Sequence, residues 1–287
     1  MVALVREEPE KYSGRLLDVR NDLVFKAIFG KEKNKSLLIL LLNAILTEEV
    51  EEIMFLNSYL GAEYVDEKYS ILDIRVRTTE NVEIDIEMQL EYHSGFENRM
   101  LLYWARMYLG QLKSGEAYEK LNKTIQISIT NFKFLQNDHF HSTFHLMEKE
   151  KLIKFTDHLE IHVLELPKVQ MTEELTDEDL LTKWMLFLSG DDKTKGEVAM
   201  TDMGIEKAYD ELHRISEDEV MRERAIARDK WLSDQATRRE QARREGKEEG
   251  EKETVLSMHA EGFSVEMITR VMKIPEEKVH AIINQIQ

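Results

Sequence analysis

At 287 residues, 42% of them hydrophobic, the chain is long enough to bury a sizeable core, with room for one large domain and an appendage. It contains no cysteine, which excludes disulfides, thiolate metal sites and cysteine nucleophiles. The formal charge of −17 argues mildly against a nucleic-acid binder, and neither half of the chain reverses it: residues 1–150 carry 18 Lys/Arg against 25 Asp/Glu, net −7, and the remainder 21 against 31, net −10.

Met1 to Glu10 lacks the apolar core of a signal peptide, and the longest greasy run, Leu37 to Leu46, is about half a membrane span and carries Asn43. A soluble cytoplasmic protein with no membrane partner is the expectation. Asn21-Asp22 ahead of Leu23, Phe25-Lys26, Ile28 and Phe29 predicts a capped amphipathic helix that Gly30 ends, and a second helix follows from about Ser36 to Leu46. Residues 53–60 read as extended. Lys26, Lys31, Lys33, Lys35, Arg99 and Arg106 are the cations that a local basic patch would have to gather.

The runs Ile71-Leu72-Asp73-Ile74-Arg75-Val76 and Val82-Glu83-Ile84-Asp85-Ile86-Glu87-Met88-Gln89-Leu90 alternate apolar with polar residues, and Thr78-Thr79-Glu80-Asn81 between them supplies a turn. They predict a hairpin. Laying Ile74 against Ile86 and Val76 against Ile84 sets Asp73 opposite Glu87, turns Gln89 the same way, and faces Arg75 toward Asp85. Two carboxylates held close repel one another, and a cation between them or a proton on one relieves the cost. Mg²⁺, a hard ion completed by water and phosphate oxygens, suits such donors, so phosphodiester hydrolysis is the chemistry to test. The plainer reading is a solvated strand face on which Arg75 and Arg77 balance Asp73, Asp85 and Glu87.

Phe96 to Lys113 has helical spacing, with Leu101, Trp104, Tyr108 and Leu112 on one stripe and Arg99, Tyr103 and Arg106 on its neighbour. Thr124 to Ile129 alternates as a strand, and His139 to Leu146 and Leu159 to Leu166 read as two more. The resulting fold class is α/β, a mixed β-sheet flanked by helices. Past Pro167 the chain turns helical, with Trp184, Met185 and Phe187 as its core contribution. Ser233 to Lys252 is almost wholly polar, a solvated helix or linker. In the tail Ser264 caps a helix through Met272, Pro275 opens another, and Val279, Ile282, Ile283 and Ile286 form an apolar stripe. The pair resembles a helix-turn-helix, but Glu276 and Glu277 at the start of the second helix disfavour base reading. A tail too small to hide its own stripe points to self-association, a homodimer through the C-terminal helices.

Asn21-Asp22-Leu23-Val24-Phe25-Lys26 with Phe29-Gly30, Leu42-Asn43-Ala44-Ile45-Leu46, Leu72-Asp73-Ile74, Ile86-Glu87-Met88-Gln89, Arg99 with Tyr103, and Gly115 with Tyr118 recur in this order and spacing. Together they resemble the Rpn family of recombination-promoting nucleases and transposases within the PD-(D/E)XK nuclease superfamily, over residues 18–135. The resemblance implies a restriction-endonuclease-like core, placed at about residues 1–190; the charged stretch and the apolar tail read from the residues make a helical extension (191–252) and a small helical tail (253–287) beyond it. It also implies DNA as partner and Mg²⁺ or Mn²⁺ as cofactor, with Asp73 and Glu87 as metal ligands. Gln89 falls where the superfamily usually has lysine, a departure that the Rpn branch shares. An uncharged amide can orient water but cannot accept its proton, so catalysis would lean on the metal, with Lys26 or Arg99 supplying the missing charge and Tyr103 beside them at the substrate.

Other constellations carry less. His139, His141 and His145 on one strand face suit zinc, but nothing nearby adds a convincing further ligand, and Gly246-Lys247 lacks the strand and glycine of a phosphate loop. Two readings from different classes remain: a metal-dependent DNA endonuclease tied to recombination, mobile elements or defence, and an inactive nuclease fold serving as a binding or scaffold module.

Overall fold

The computed structural model describes residues 15–60, 70–71, 73–169 and 180–284. Met1 to Glu10, Leu72 and Ile286, which enter the expectations above, lie outside them. By its internal contacts the chain divides into two compact units, residues 1–226 and 227–287.

In the first unit, α1 (Asp22–Phe29) opens on Asn21, whose side chain accepts from the Leu23 amide, and closes at Gly30. A Cβ on Gly30 would stand 2.9 Å from the Lys26 carbonyl and 3.4 Å from the Ile74 side chain. Its absence lets the end of α1 lie against the sheet beside Asp73. The greasy helix α2 (Lys35–Ile45) buries Leu37, Leu38, Leu41, Leu42 and Ile45.

Six strands form the sheet: β1 (Ile53–Phe55), β4 (Ile74–Thr78), β5 (Glu83–Gln89), β6 (Thr124–Thr130), β7 (His141–His145) and β8 (Leu159–Glu165). Their order is β1-β4-β5-β6-β8-β7, with β5/β6 and β6/β8 parallel and the remaining pairs antiparallel. The short strands β2 (Tyr59–Leu60) and β3 (Ser70–Ile71) make a separate ladder. The hairpin register is the one expected, Ile74 on Ile86, Arg75 on Asp85 and Val76 on Ile84. Asn81, at φ 63°, closes its turn in the left-handed region that asparagine tolerates. Parallel β5 and β6 require a crossover, and α3 (Phe96–Leu109) supplies it, entered through Gly95 at φ 80°.

One sheet face carries Ile74, Val76, Ile84, Ile86, Ile125, Ile127 and Ile129 into the main core. There they join α1, α2, α4 (Leu180–Ser189), α5 (Asp192–Ala199) and α6 (Met203–Ser216), through side chains that include Trp184, Met185, Phe187, Val198, Ile205 and Leu212. Thus α5 and α6, which the sequence reading assigned to the charged extension, belong to the core, and the first unit runs to Ile226. The caps explain why this charged stretch folds: Asp191 accepts from Thr194, and Asp202 accepts from Gly204 and Ile205.

The other sheet face is not solvated, contrary to the plainer expectation. Glu83, Asp85, Glu87, Gln126 and Ser128 are buried on it, and α3 lies across them. The stripe that α3 turns inward is also not the one expected. Phe96, Met100 and Met107 are buried, whereas Leu101 is 49% exposed. Trp104 and Tyr108 are half-buried, stack on each other and bond the Thr124 carbonyl at the start of β6 and the His158 ring. Phe96 and Met100 anchor α3 to Ile161 and Val163 of β8, with Phe132 and Phe134 around them.

The helix α7 (Glu219–Ala260) runs 42 residues and joins the units covalently. In the second unit α8 (Val265–Met272) and α9 (Glu276–Asn284) bury Ile268, Val279 and Ile282 against Val255 of α7. The apolar stripe of the tail therefore finds its partner within the unit, which removes the reason given for a homodimer through these helices. No described helix is long and apolar enough to cross a membrane.

Because Phe96 is fully enclosed and fixes the start of α3, Phe96→Ala is expected to destabilise the first unit by about 3–5 kcal/mol. Urea unfolding followed by circular dichroism measures this. A midpoint equal to that of the wild type would contradict the anchoring role.

Candidate functional site

Asp73 immediately precedes β4, and Asp85 and Glu87 sit on β5, all three on the face beneath α3. Period-two alternation sends their neighbours Ile74, Ile84 and Ile86 into the main core, so the same pattern that builds the core forces the acids to the other side. Two arginines are close by, yet both are committed elsewhere. Arg75 and Arg77 take the two carboxylate oxygens of Glu83, at 2.7 and 2.6 Å.

Lys26 on α1 reaches Asp73, Nζ to Oδ1 2.9 Å, and the Met88 amide donates to Oδ2 at 3.0 Å. Glu87 accepts from Gln89 Nε2 at 2.9 Å, and Arg99 on α3 donates to Gln89 Oε1. This bridge fixes the orientation of the amide: arginine has donors only, so oxygen faces Arg99 and nitrogen faces Glu87. Arg99 also lies against the rings of Phe96 and Tyr103, at 5.4 and 5.9 Å from their centres. Asp85 is the exception. It is fully buried, and neither of its carboxylate oxygens has a hydrogen-bond partner; nor does either end of the Gln126 amide directly across the ladder.

The electrostatics follow from this geometry. Burial raises the Asp73 carboxyl above its usual pKa, with Lys26 and the Met88 amide opposing the shift. Asp85 is pushed well above the ordinary range, by burial first and then by the charge of Asp73, against Gln126 and Arg75. Glu87 is also raised well above it, by burial, Asp85 and Asp73, with Arg99 and Lys26 opposing. The Tyr103 phenol is raised by burial and by Glu87, so at neutral pH it remains a hydrogen-bond donor.

The arrangement thus brings together all six residues singled out from the sequence: Asp73, Glu87, Gln89, Lys26, Arg99 and Tyr103. The register faces Asp85 toward Arg75; in the structure Glu83 takes that arginine and leaves Asp85 inside the carboxylate group. An acid at every second position from 83 to 87 was the signal available, but nothing in it told which acid the arginines would choose. Three of the cations that a basic patch would have to gather are paired with acids. Besides Lys26, Lys33 pairs with Glu211 and Lys35 with Glu32 and Glu52.

An all-oxygen donor set short of positive charge, with one carboxylate whose oxygens accept no hydrogen bond, fits a hard divalent ion. Among the described residues no three Asp, Glu or His side chains stand together as metal ligands. Asp73 and Glu87 with water would be the simplest holding group. The histidines lie on the opposite sheet face, beside a cavity of about 380 Å³. His139 is outside β7, and His141 bonds His162 at 2.8 Å, which in turn bonds Glu160 at 2.7 Å.

Acids whose pKa is raised by folding bind more protons in the native state, so they lower stability as pH rises from the ordinary carboxylate range through their elevated values. Asp85→Asn removes one such acid while keeping its shape. The metal-free variant is expected to melt higher than wild type at pH 8, with the difference vanishing near pH 4; equal melting temperatures at both pH values would contradict the burial of an ionisable Asp85.

Neither the curated proteins nor the solved structures yield a match to this chain. A family model described as PD-(D/E)XK nuclease family transposase matches residues 19–242. The match extends well past the segment quoted from the sequence, through β7, β8 and α4–α6 into α7. With its mixed six-stranded sheet flanked by helices, and with the family model covering most of its length, the chain belongs to the PD-(D/E)XK nuclease family transposases.

Proposed function

We propose that this chain is a divalent-metal-dependent DNA endonuclease, using Mg²⁺ or Mn²⁺ to hydrolyse phosphodiester bonds. The observation that carries the reading is the group Asp73, Asp85 and Glu87 on one sheet face of a nuclease-family chain, in which the charge of Asp73 raises Asp85 and both raise Glu87. Asp73 and Glu87 are the proposed ligands. A bound ion supplies Lewis acidity toward phosphate and a more acidic water.

The protein's own groups divide the remaining work. Gln89 holds Glu87 in place and, having no basic site, takes no proton. Arg99 delivers through Gln89 the positive charge that lysine supplies elsewhere in the superfamily. Lys26 neutralises Asp73 until substrate arrives, then turns its ammonium toward a phosphate oxygen. Tyr103, protonated at neutral pH, donates a hydrogen bond to the same group. The transposase description of the family supports a role in DNA rearrangement, in recombination, mobile elements or defence.

One observation favours the second reading, a nuclease fold retained as a binding module: Lys26 already occupies Asp73 at 2.9 Å. Plasmid nicking separates the two. Wild type with Mg²⁺ or Mn²⁺ is expected to nick supercoiled plasmid, and Asp73→Asn and Glu87→Gln to lose on the order of 100-fold or more in rate. Nicking that persists in both variants would contradict the assignment, and no cleavage by folded wild type would favour the binding module.

A further inference from the structure

A chain of net charge −17 that acts on a polyanion needs a surface where the charge reverses, and the cations around the acidic centre are engaged with their own acids or with Gln89. The reversal occurs along α7. Residues 227–247 hold seven Lys/Arg against four Asp/Glu, net +3, which leaves −20 for the rest of the chain. Every residue from 237 to 250 is exposed.

The basic residues of this segment are ordered. Arg228, Trp231, Gln235, Arg238 and Arg239, and Arg243 succeed one another at steps of three or four, and so share one stripe of the helix. Asp234 and Glu245 border it on one side, Asp229 and Glu240 on the other. Trp231 is 49% exposed, and the Arg228 guanidinium lies 4.8 Å from its ring centre. From Trp231 to Arg243 the stripe extends about 18 Å, the rise of about five base pairs. A protruding indole among arginines serves no core. Five of the seven cations are arginine, whose planar fork matches phosphate, and an indole stacks on bases or sugars.

We propose that this stripe of α7 is a DNA-contact surface separate from the acidic centre, with Arg238, Arg239 and Arg243 on backbone phosphates and Trp231 against a sugar or base. The inference rests on the nuclease reading for its choice of DNA. The surface adds affinity through backbone phosphates, a contribution that the salt dependence of binding reads directly.

The test is binding of a fluorescent duplex oligonucleotide in EDTA across a salt series, with plasmid nicking measured in parallel. Arg238→Gln/Arg243→Gln spares Arg239, which has a further contact within the protein. Both changed positions are exposed and glutamine keeps the helix, which circular dichroism checks. The double variant is expected to bind about tenfold more weakly at moderate salt, with the slope of log affinity against log salt falling by about 2. Lys193→Gln/Arg270→Gln, which removes two cations from exposed positions elsewhere, is expected to leave both quantities unchanged. Equal binding by wild type and the α7 variant, an equal loss in the control, or no DNA binding by wild type would each overturn the surface. Nicking by wild type alongside unchanged binding by the α7 variant would sink the surface and spare the nuclease, whereas a binding loss with no nicking by wild type would do the reverse.

Discussion

Three carboxylates, Asp73, Asp85 and Glu87, share one sheet face, the latter two buried, and among the described residues Lys26 pairs with Asp73 while Arg99 reaches Glu87 by way of Gln89. This shortage of positive charge is the constraint around which the centre is organised. Burying an acid is costly unless it keeps its proton or meets a cation, and Asp85 makes no hydrogen bond through either oxygen, with the neighbouring Gln126 amide and Arg75 to oppose the cost. The protein accepts that cost because the opposite faces of the same strands hold Ile74, Ile84 and Ile86 in the main core. A one-residue slip of register would exchange the two sets, so the core and the acidic layer specify each other.

The cover over this layer matters as much as the strands. Helix α3 is pinned at one end by Phe96 and Met100, and between those anchors it presents Arg99 and, one turn on, Tyr103 to the acids. Water is thereby kept from most of the carboxylate surface, which strengthens each charge interaction there. Gln89 sits at the junction, bonded on one side to the acid and on the other to the guanidinium. In the proposed centre this relay stands in for lysine and places the positive charge on α3 instead of β5, which ties the orientation of the helix to the proposed chemistry.

Much of this was legible in the sequence. Alternation and a four-residue turn predicted the register of β4 on β5, and the ordered family motifs brought Lys26, Arg99 and Tyr103 to the same place. What covers a polar strand face was not legible, because alternation is the same whether that face meets water or a helix. For that reason the apolar stripe of Leu101, Trp104, Tyr108 and Leu112 does not reveal that α3 turns Arg99 and Tyr103 toward the acids. Likewise Val255, which completes the small core of the tail, lies next to a charged run and gave no sign that α7 would supply a third wall. Helices α5 and α6 were hidden in the same way: their charge content suggested a linker, while their buried positions, Val198, Ile205, Ala208 and Leu212, are spaced among acids and lysines.

The most direct test of the central claim is a titration of Mn²⁺ into metal-free protein at pH 7 in weak buffer, followed by calorimetry and by pH. Acids whose pKa is raised by burial and neighbouring charge release the protons they hold when an ion takes their place. The account predicts saturable binding of Mn²⁺ with proton release, both diminished in Glu87→Gln. Saturable binding without protons, or no binding by folded wild type, would contradict a carboxylate centre that is short of positive charge.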